Sequence, residues 1–328
     1  MHEADRREFL KRAAAGLAAA NLGAPVLAAQ QPSPDGLPKR PLGRTGEMVS
    51  IVGLGGFHIG TAQEKEAIAI MHEAIDNGMT FFDNAWDYHM GGSEELMGKA
   101  LAGGKRDRVF LMTKVCDRHY EGAKKHLDDS LRRLKTDYID LWQFHEINWD
   151  VDPDWVFDRG GIKAAIEARE AGKVRYIGFT GHRHYAHHVK MLGKPFEWDT
   201  VQMPLNILDA SYRSFQKEVL PVCAERKVSV IGMKALSAGV LPGRLGVPAD
   251  LCRRYTLSLP IATLVCGIRS RKELRQDLAV ARDFEPLTAA ELTATAEEHE
   301  EKAGSVKNEP YKNPTYGSAY HARQHKGV

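Results

Sequence analysis

Eight short apolar runs recur along the chain at a nearly constant interval. They are "SIVGLGG", "MTFFDNA", "VFLMTKV", "YIDLWQFHE", "VRYIGFTG", "TVQMPLN", "VSVIGMKA" and "TLVCGI", beginning near residues 50, 79, 109, 138, 174, 200, 228 and 263. The mean interval, about 30 residues, is the length of one βα unit. Runs this continuous suit strands buried on both faces, as in a parallel sheet. The stretches between them read as helices. "AQEKEAIAIMHEAIDNG" closes on Asn77-Gly78, a C-cap signal, and "SEELMGKAL" opens with Ser93 as an N-cap followed by two acids. "GAKKHLDDSLRRLKT" and "DASYRSFQKEVLPVCAERK" are amphipathic. Alternation repeated eight times predicts an α/β fold, a (β/α)8 TIM barrel, with a doubly wound open sheet as the alternative. The open sheet would call for G-x-G-x-x-G between a strand and a helix. "GLGGFHIG", Gly53 to Gly60, has the glycines without that spacing. "RPLGRTGEMVS", ahead of the first run, predicts an N-terminal β-hairpin capping the barrel floor.

The 328 residues carry a net charge of +2 with no Lys/Arg stripe, so neither a nucleic-acid nor a membrane-surface partner is suggested. Cys116, Cys223, Cys252 and Cys266 are widely spaced, without a C-x-x-C pair, and read as small buried thiols rather than metal ligands. The N-terminal stretch "DRREFLKRAAAGLAAANLGAPVLAAQ" places Arg6 and Arg7 before Phe9-Leu10-Lys11, an Ala/Gly-rich apolar stretch and small residues at Ala28 and Ala29. It resembles a twin-arginine signal, which implies folding in the cytoplasm, the twin-arginine export machinery as a partner and a periplasmic destination. The expected organisation is a signal peptide over 1–29, a linker over 30–39, the barrel over 40–305 and a tail over 306–328. The tail either covers the active site or forms a disordered end.

In such barrels the chemistry sits at the C-terminal ends of the strands. There Asp83 ends the second run, Lys114 the third and His145 the fourth, while Tyr88 lies in the loop after the second. Each alone has a plain explanation as a cap, a snorkelling lysine or a core histidine. Together they converge on one pocket. "FFDNAWDYHMGGSEELMGKAL", "VFLMTKV" and "DLWQFHEI" resemble the aldo-keto reductase superfamily, and the likeness runs from about Arg40 to "GIRSRKELRQDL". It implies a barrel that binds a nicotinamide cofactor, with Asp83, Tyr88, Lys114 and His145 as the catalytic set. Hydride transfer to a carbonyl carbon leaves an oxygen to be protonated, the role implied for Tyr88. Lys114 is expected to lower the phenol pKa, Asp83 to keep Lys114 charged, and His145 to orient the carbonyl.

The resemblance assigns cofactor binding to Gly56, Phe57, Asp83, Thr180, Gln202, Met233, Lys234, Leu236, Gly239, Gly267, Ile268, Arg269, Glu273, Gln276 and Asp277. Gly181 stands where the family carries an asparagine, and Met233 where it carries a stacking aromatic. Glu273 disfavours a 2′-phosphate while Arg269 favours one, so NADP is expected with NAD as a close rival. Phe57, Trp86, His145, Trp149 and His182 are the expected substrate contacts, for a small carbonyl, alcohol or sugar. "GHRHYAHH" packs His182, His184, His187 and His188 together without a fitting carboxylate or cysteine partner, and reads as a helix surface with no metal site. Two further functions stay open. One is an exported enzyme with a tightly bound, recycled cofactor catalysing sugar epimerisation or redox exchange. The other is a non-catalytic, cofactor-binding redox sensor.

Overall fold

The structure, a computed structural model, describes residues 36–317 and 319–324. The expected signal peptide and most of the expected linker lie outside them. Among the described residues no helix is long and apolar enough to cross a membrane.

All eight apolar runs are strands of one closed parallel barrel, and every one pairs with its sequence neighbours. They are β3 (Val52–Gly55), β4 (Phe81–Asp83), β5 (Phe110–Val115), β6 (Ile139–Phe144), β7 (Val174–Thr180), β8 (Thr200–Pro204), β9 (Ser229–Met233) and β10 (Thr263–Gly267), with β10 closing on β3. The expected hairpin forms as β1 (Lys39–Pro41) and β2 (Met48–Ser50), paired antiparallel. Its Leu42 and Val49 enter a small apolar cluster with Phe81, Phe110, Met112, Leu141, Ile231 and Ala262, which fills the barrel interior.

The outer layer is a ring of helices: α1 (Glu64–Asp76), α2 (Gly92–Ala100), α3 (Tyr120–Leu134), α4 (Gly161–Glu170), α5 (Tyr185–Leu192), α6 (Leu220–Arg226), α7 (Ala249–Leu257) and α8 (Arg271–Arg282). In α1 the buried residues Ala67, Ile70, Met71, Ala74 and Ile75 follow the helical period, and Gly78 at φ 82° makes the left-handed exit that Asn77-Gly78 predicts. Two helix expectations are corrected. Ser93 is no N-cap: it lies inside α2, buried, and its hydroxyl donates to the Gly56 carbonyl at 2.7 Å. The stretch 209–227 is not one helix but a 3-10 turn (Asp209–Ser211), a short turn (Phe215–Glu218) and α6, with Pro221 opening α6, where its missing N–H costs nothing.

Beyond α8 come α9 (Ala289–Glu298) and, in the tail, α10 (Ala319–Gln324). The tail is packed against the barrel. Tyr311 and Lys312 are fully buried, and the Lys312 ammonium meets Asp209 and Glu309, both at 2.8 Å.

Candidate active site

Strand period places the polar residues. Phe81 faces the barrel interior, so Asp83 does too; Phe110 and Met112 face inward, so Lys114 follows; Leu141 is followed in the same way by Gln143 and His145. Moving up the barrel, the inner positions therefore change from phenyl rings to ionisable groups.

At that level the Lys114 ammonium donates to Asp83 Oδ1 at 2.6 Å, to the Asn84 carbonyl at 2.7 Å and to the Tyr88 hydroxyl at 3.3 Å. Gln202 Nε2 donates to the other Asp83 oxygen at 2.6 Å. His145 stands edge-on to Tyr88, ring centres 5.5 Å apart, with Nδ1 3.1 Å from Asp87 Oδ1. The four residues expected to act together are thus in one cluster, with Asp83, Lys114 and His145 buried and Tyr88 half-buried.

Electrostatics correct one expectation. Burial, then the carboxylates of Asp83, Asp87 and Glu146, raise the Tyr88 pKa well above 10, so Lys114 does not leave the phenol acidic here. Burial also lowers the His145 pKa, partly offset by Asp87. Asp87 itself is held far below the usual carboxylate range: burial alone would raise it, and the His145 contact outweighs that.

The expected cofactor residues divide. Phe57 is 51% exposed and edge-on to Tyr88 at 5.4 Å. Gly56 tolerates no side chain, because a Cβ would lie 2.6 Å from the Asp83 carbonyl. Thr180 and Gln202 are buried neighbours on β7 and β8, and Gln202 Oε1 is buried without a hydrogen-bond partner among the described residues. Met233, Lys234 and Leu236 are half-buried and Gly239 exposed, along a loop whose Lys234, Ser237 and Ala238 all have positive φ (60°, 47° and 55°). Such strain in non-glycine residues gathers at functional loops. Burial pushes the Lys234 ammonium down to about 8. Gly267, Arg269 and Gln276 are exposed, and the Arg269 N–H donates to Glu273 at 2.6 Å. Ile268 is a core residue, and Asp277 is wholly buried behind β10 in an ion pair with Arg253.

Three of the residues expected to face substrate are engaged within the protein. Trp86 is held within the protein: one face stacks on His126 at 3.5 Å, Tyr320 abuts it edge-on, and its indole N–H donates to Asp129 at 3.3 Å. Trp149 lies under the Arg183 guanidinium at 4.1 Å. His182 is buried, 3.2 Å from Glu146 Oε1 and 2.9 Å from the Tyr311 carbonyl, sealed beneath the tail. Gly181 has a local cause, since a Cβ there would meet the Ile147 carbonyl at 2.5 Å and His188 at 2.7 Å.

Sequence reasoning missed Asp87, Glu146, Arg118 and the tail's own contact residues, Tyr320 and His321. Asp87 and Glu146 directly adjoin Tyr88 and His145 in "WDYH" and "FHE", a signal that was available. Tyr320 donates to Asp117 at 2.9 Å, and His321 Nδ1 lies 2.7 Å from Glu146 Oε2 and edge-on to His145 at 5.3 Å. These contacts span well over a hundred residues of chain and leave no local pattern.

Comparison with known proteins gives the same picture. The model of the aldo/keto reductase family matches residues 51–254. The oxidoreductase YrpG of Bacillus subtilis (strain 168) is 32% identical over 274 residues, covering 73% of this chain and 81% of that protein. Among solved structures, the holo form of aldo-keto reductase AKR11C1 from Bacillus halodurans superposes with a TM-score of 0.71 at 28% identity, covering 83% of this chain and 99% of the other. An aldo/keto reductase from Klebsiella pneumoniae, solved in complex with NADP and acetate, gives 0.65 at 22% identity, covering 84% and 96%.

Proposed function

The chain belongs to the aldo/keto reductase family, and from that premise we propose that it is an NADP(H)-dependent oxidoreductase interconverting a carbonyl and an alcohol of a small molecule, with Tyr88 moving the proton. The observation that carries this reading is the buried relay from Asp83 through Lys114 to Tyr88, at 2.6 and 3.3 Å. When bound, the nicotinamide supplies or accepts the hydride. The chain's own residues handle charge and protons. Tyr88, kept protonated by burial, gives its proton to the carbonyl oxygen as negative charge develops there. Lys114 stabilises the phenolate left behind, and Asp83 holds the ammonium in place. His145, its pKa lowered by burial, is neutral at neutral pH and serves as a hydrogen-bond donor to that oxygen rather than as an acid.

One feature supports a nicotinamide dinucleotide. The buried, unpartnered Gln202 Oε1 suits a carboxamide N–H. NADP is favoured over NAD because Glu273 is turned onto the Arg269 backbone N–H, while Arg269 stays exposed for a 2′-phosphate. The Klebsiella pneumoniae neighbour was solved with NADP. Fluorescence titration with NADPH and NADH, followed by a carbonyl and sugar panel, tests the reading; no binding of either nucleotide would end it.

A second reading draws on the tail packed over the barrel mouth. An exported enzyme that retains its cofactor beneath this cover would epimerise a sugar or exchange redox equivalents between two substrates. The proposed destination, the periplasm, rests on Arg6, Arg7 and the stretch behind them. Protein purified from the periplasm without added cofactor would carry stoichiometric nucleotide; empty protein would refute this. Tyr88→Phe separates an enzyme, which loses turnover, from a redox sensor, which keeps its partner interaction.

A further inference from the structure

Beside Tyr88, four side chains from four separate elements turn one donor atom each towards a common point. They are Asp87 in the loop after β4, Cys116 just past β5, His145 just past β6 and His321 in α10, and all four donor atoms lie within 4.8 Å of one another. Cys116, His145 and His321 are buried. His145 Nδ1 is 3.1 Å from Asp87 Oδ1 and 3.6 Å from Cys116 Sγ. Tetrahedral zinc, with bonds of about 2.0 Å to nitrogen or oxygen and about 2.3 Å to sulfur, separates its ligands by roughly 3.3–3.6 Å. Two of the spacings are therefore close to that already, and the widest must contract by about 1 Å.

We propose that Asp87, Cys116, His145 and His321 form a binding site for a divalent transition metal, zinc being the best match, which ties the C-terminal tail to the rim of the active site.

Three observations beyond proximity carry this. The first is orientation. Glu146 Oε2 holds His321 Nδ1 at 2.7 Å, and its other oxygen lies 3.2 Å from His182 Nε2. A carboxylate on one imidazole nitrogen fixes that ring's proton there and turns the lone pair of the other nitrogen to a metal, the usual arrangement around ligating histidines. Glu146 reaches this position with φ 52°, a conformation that disfavours any side chain.

The second is bracing. Arg118, fully buried, donates to the carbonyls of Cys116 at 3.1 Å, His145 at 2.7 Å and Glu146 at 3.1 Å, and is itself held by Asp152 at 3.1 Å. One guanidinium thus fixes the backbone of two ligands and of the residue that orients a third.

The third is charge. One carboxylate, one thiolate and two neutral imidazoles sum to −2 and neutralise a divalent cation, as a buried site requires. Binding forms the metal–sulfur bond and breaks the S–H bond, and the proton goes to solvent. Ligation through Nδ1 would leave the His145 proton on Nε2. The site would then set the donor tautomer of a residue that the proposed function also uses.

The test is metal binding by the full chain, which is read without turnover, so failure of the reductase assay leaves it intact. Metal-stripped protein is dialysed against zinc chloride, washed and analysed for metal, and in parallel titrated with cobalt chloride in the spectrophotometer. About one metal per chain is expected, with a thiolate-to-cobalt charge-transfer band and the intense visible bands of tetrahedral cobalt. Cys116→Ser should abolish the charge-transfer band. Glu146→Gln, which spares all four ligands, should weaken binding by about 10- to 100-fold. X-ray absorption on the zinc-loaded wild type should find one sulfur at about 2.3 Å among nitrogen and oxygen neighbours, and does not depend on any variant folding. Sub-stoichiometric metal, a shell without sulfur, or binding indifferent to both substitutions would overturn the proposal.

Discussion

Lys114→Met and Asp83→Asn, singly and together, probe the buried pair on which the site is built. The side chains are 2% and 4% exposed and 2.6 Å apart. At an effective dielectric of about 20, unit charges at that distance attract by roughly 6 kcal/mol, offset by several kcal/mol of desolvation for each ion. The net worth of the intact pair is therefore small, yet breaking it is expensive. Lys114→Met leaves the Asp83 carboxylate with Gln202 alone, and Asp83→Asn leaves a buried ammonium with the Asn84 carbonyl and the Tyr88 hydroxyl. Each single change should destabilise by about 3–5 kcal/mol. The double variant, with neither charge left unpaired, should cost no more than either single change, a coupling of at least about 3 kcal/mol. Urea unfolding at pH 7 of all four proteins measures this directly. Additive losses, or singles within about 1 kcal/mol of wild type, would show that water reaches the pair and that the relay is not buried.

Tyr88→Phe should lower kcat by about 100- to 10,000-fold while leaving the nucleotide Kd within a few-fold, by steady-state kinetics and fluorescence titration. Because burial raises the Tyr88 pKa well above 10, the acid form persists at neutral and mildly alkaline pH. The reduction rate should then show no alkaline limb between about pH 7 and 9. His188, buried against Phe179 and Phe215, is pushed down to about 3 from an unfolded value near 6.5. Its contribution to stability is full above pH 6.5 and is lost as pH falls towards the native value, about 2 kcal/mol by pH 5. His188→Leu should remove that part of the pH slope in urea unfolding at pH 7 and 5, and an unchanged slope would contradict the assignment. Tyr320→Ala removes the bond to Asp117 and the edge contact with Trp86. It should speed nucleotide release in stopped-flow fluorescence without changing the unfolding free energy by more than about 1 kcal/mol.

The barrel was legible because its strands are buried on both sides and so announce themselves as unbroken apolar runs. Asp83, Lys114 and His145 were legible for the converse reason, since each interrupts such a run at its end. What escaped was every feature decided by a partner distant in the chain. Ser93 precedes two acids and looks like a cap, but the Gly56 carbonyl claims its hydroxyl. Glu94 looks like a dipole partner, yet it is wholly buried between Thr113 and Arg133. Trp86 follows Asp83 closely enough to suggest a shared pocket, but α3 and the tail take its ring. Periodicity reports which face of an element is covered and is silent on what covers it.

The Tyr88 pKa shows why that silence matters for chemistry. From sequence, the only charges placed near the phenol were Asp83 and Lys114, and a cation next to a phenol argues for a lowered pKa. The folded chain adds Asp87 and Glu146, two further carboxylates, in a site closed off by a C-terminal helix. The sign of the shift is set by burial first, then by Asp83, and then by those two later carboxylates. A metal on the Asp87–Cys116–His145–His321 cluster, with the Cys116 proton lost, would add one net positive charge among the same groups, which argues for a lower phenol pKa in the metal-loaded protein than in the metal-free one. The alkaline limb of oxidation, which needs the phenolate, should then move to lower pH on zinc loading. A limb that stays in place would separate the metal from Tyr88 electrostatically, even if the cluster binds it.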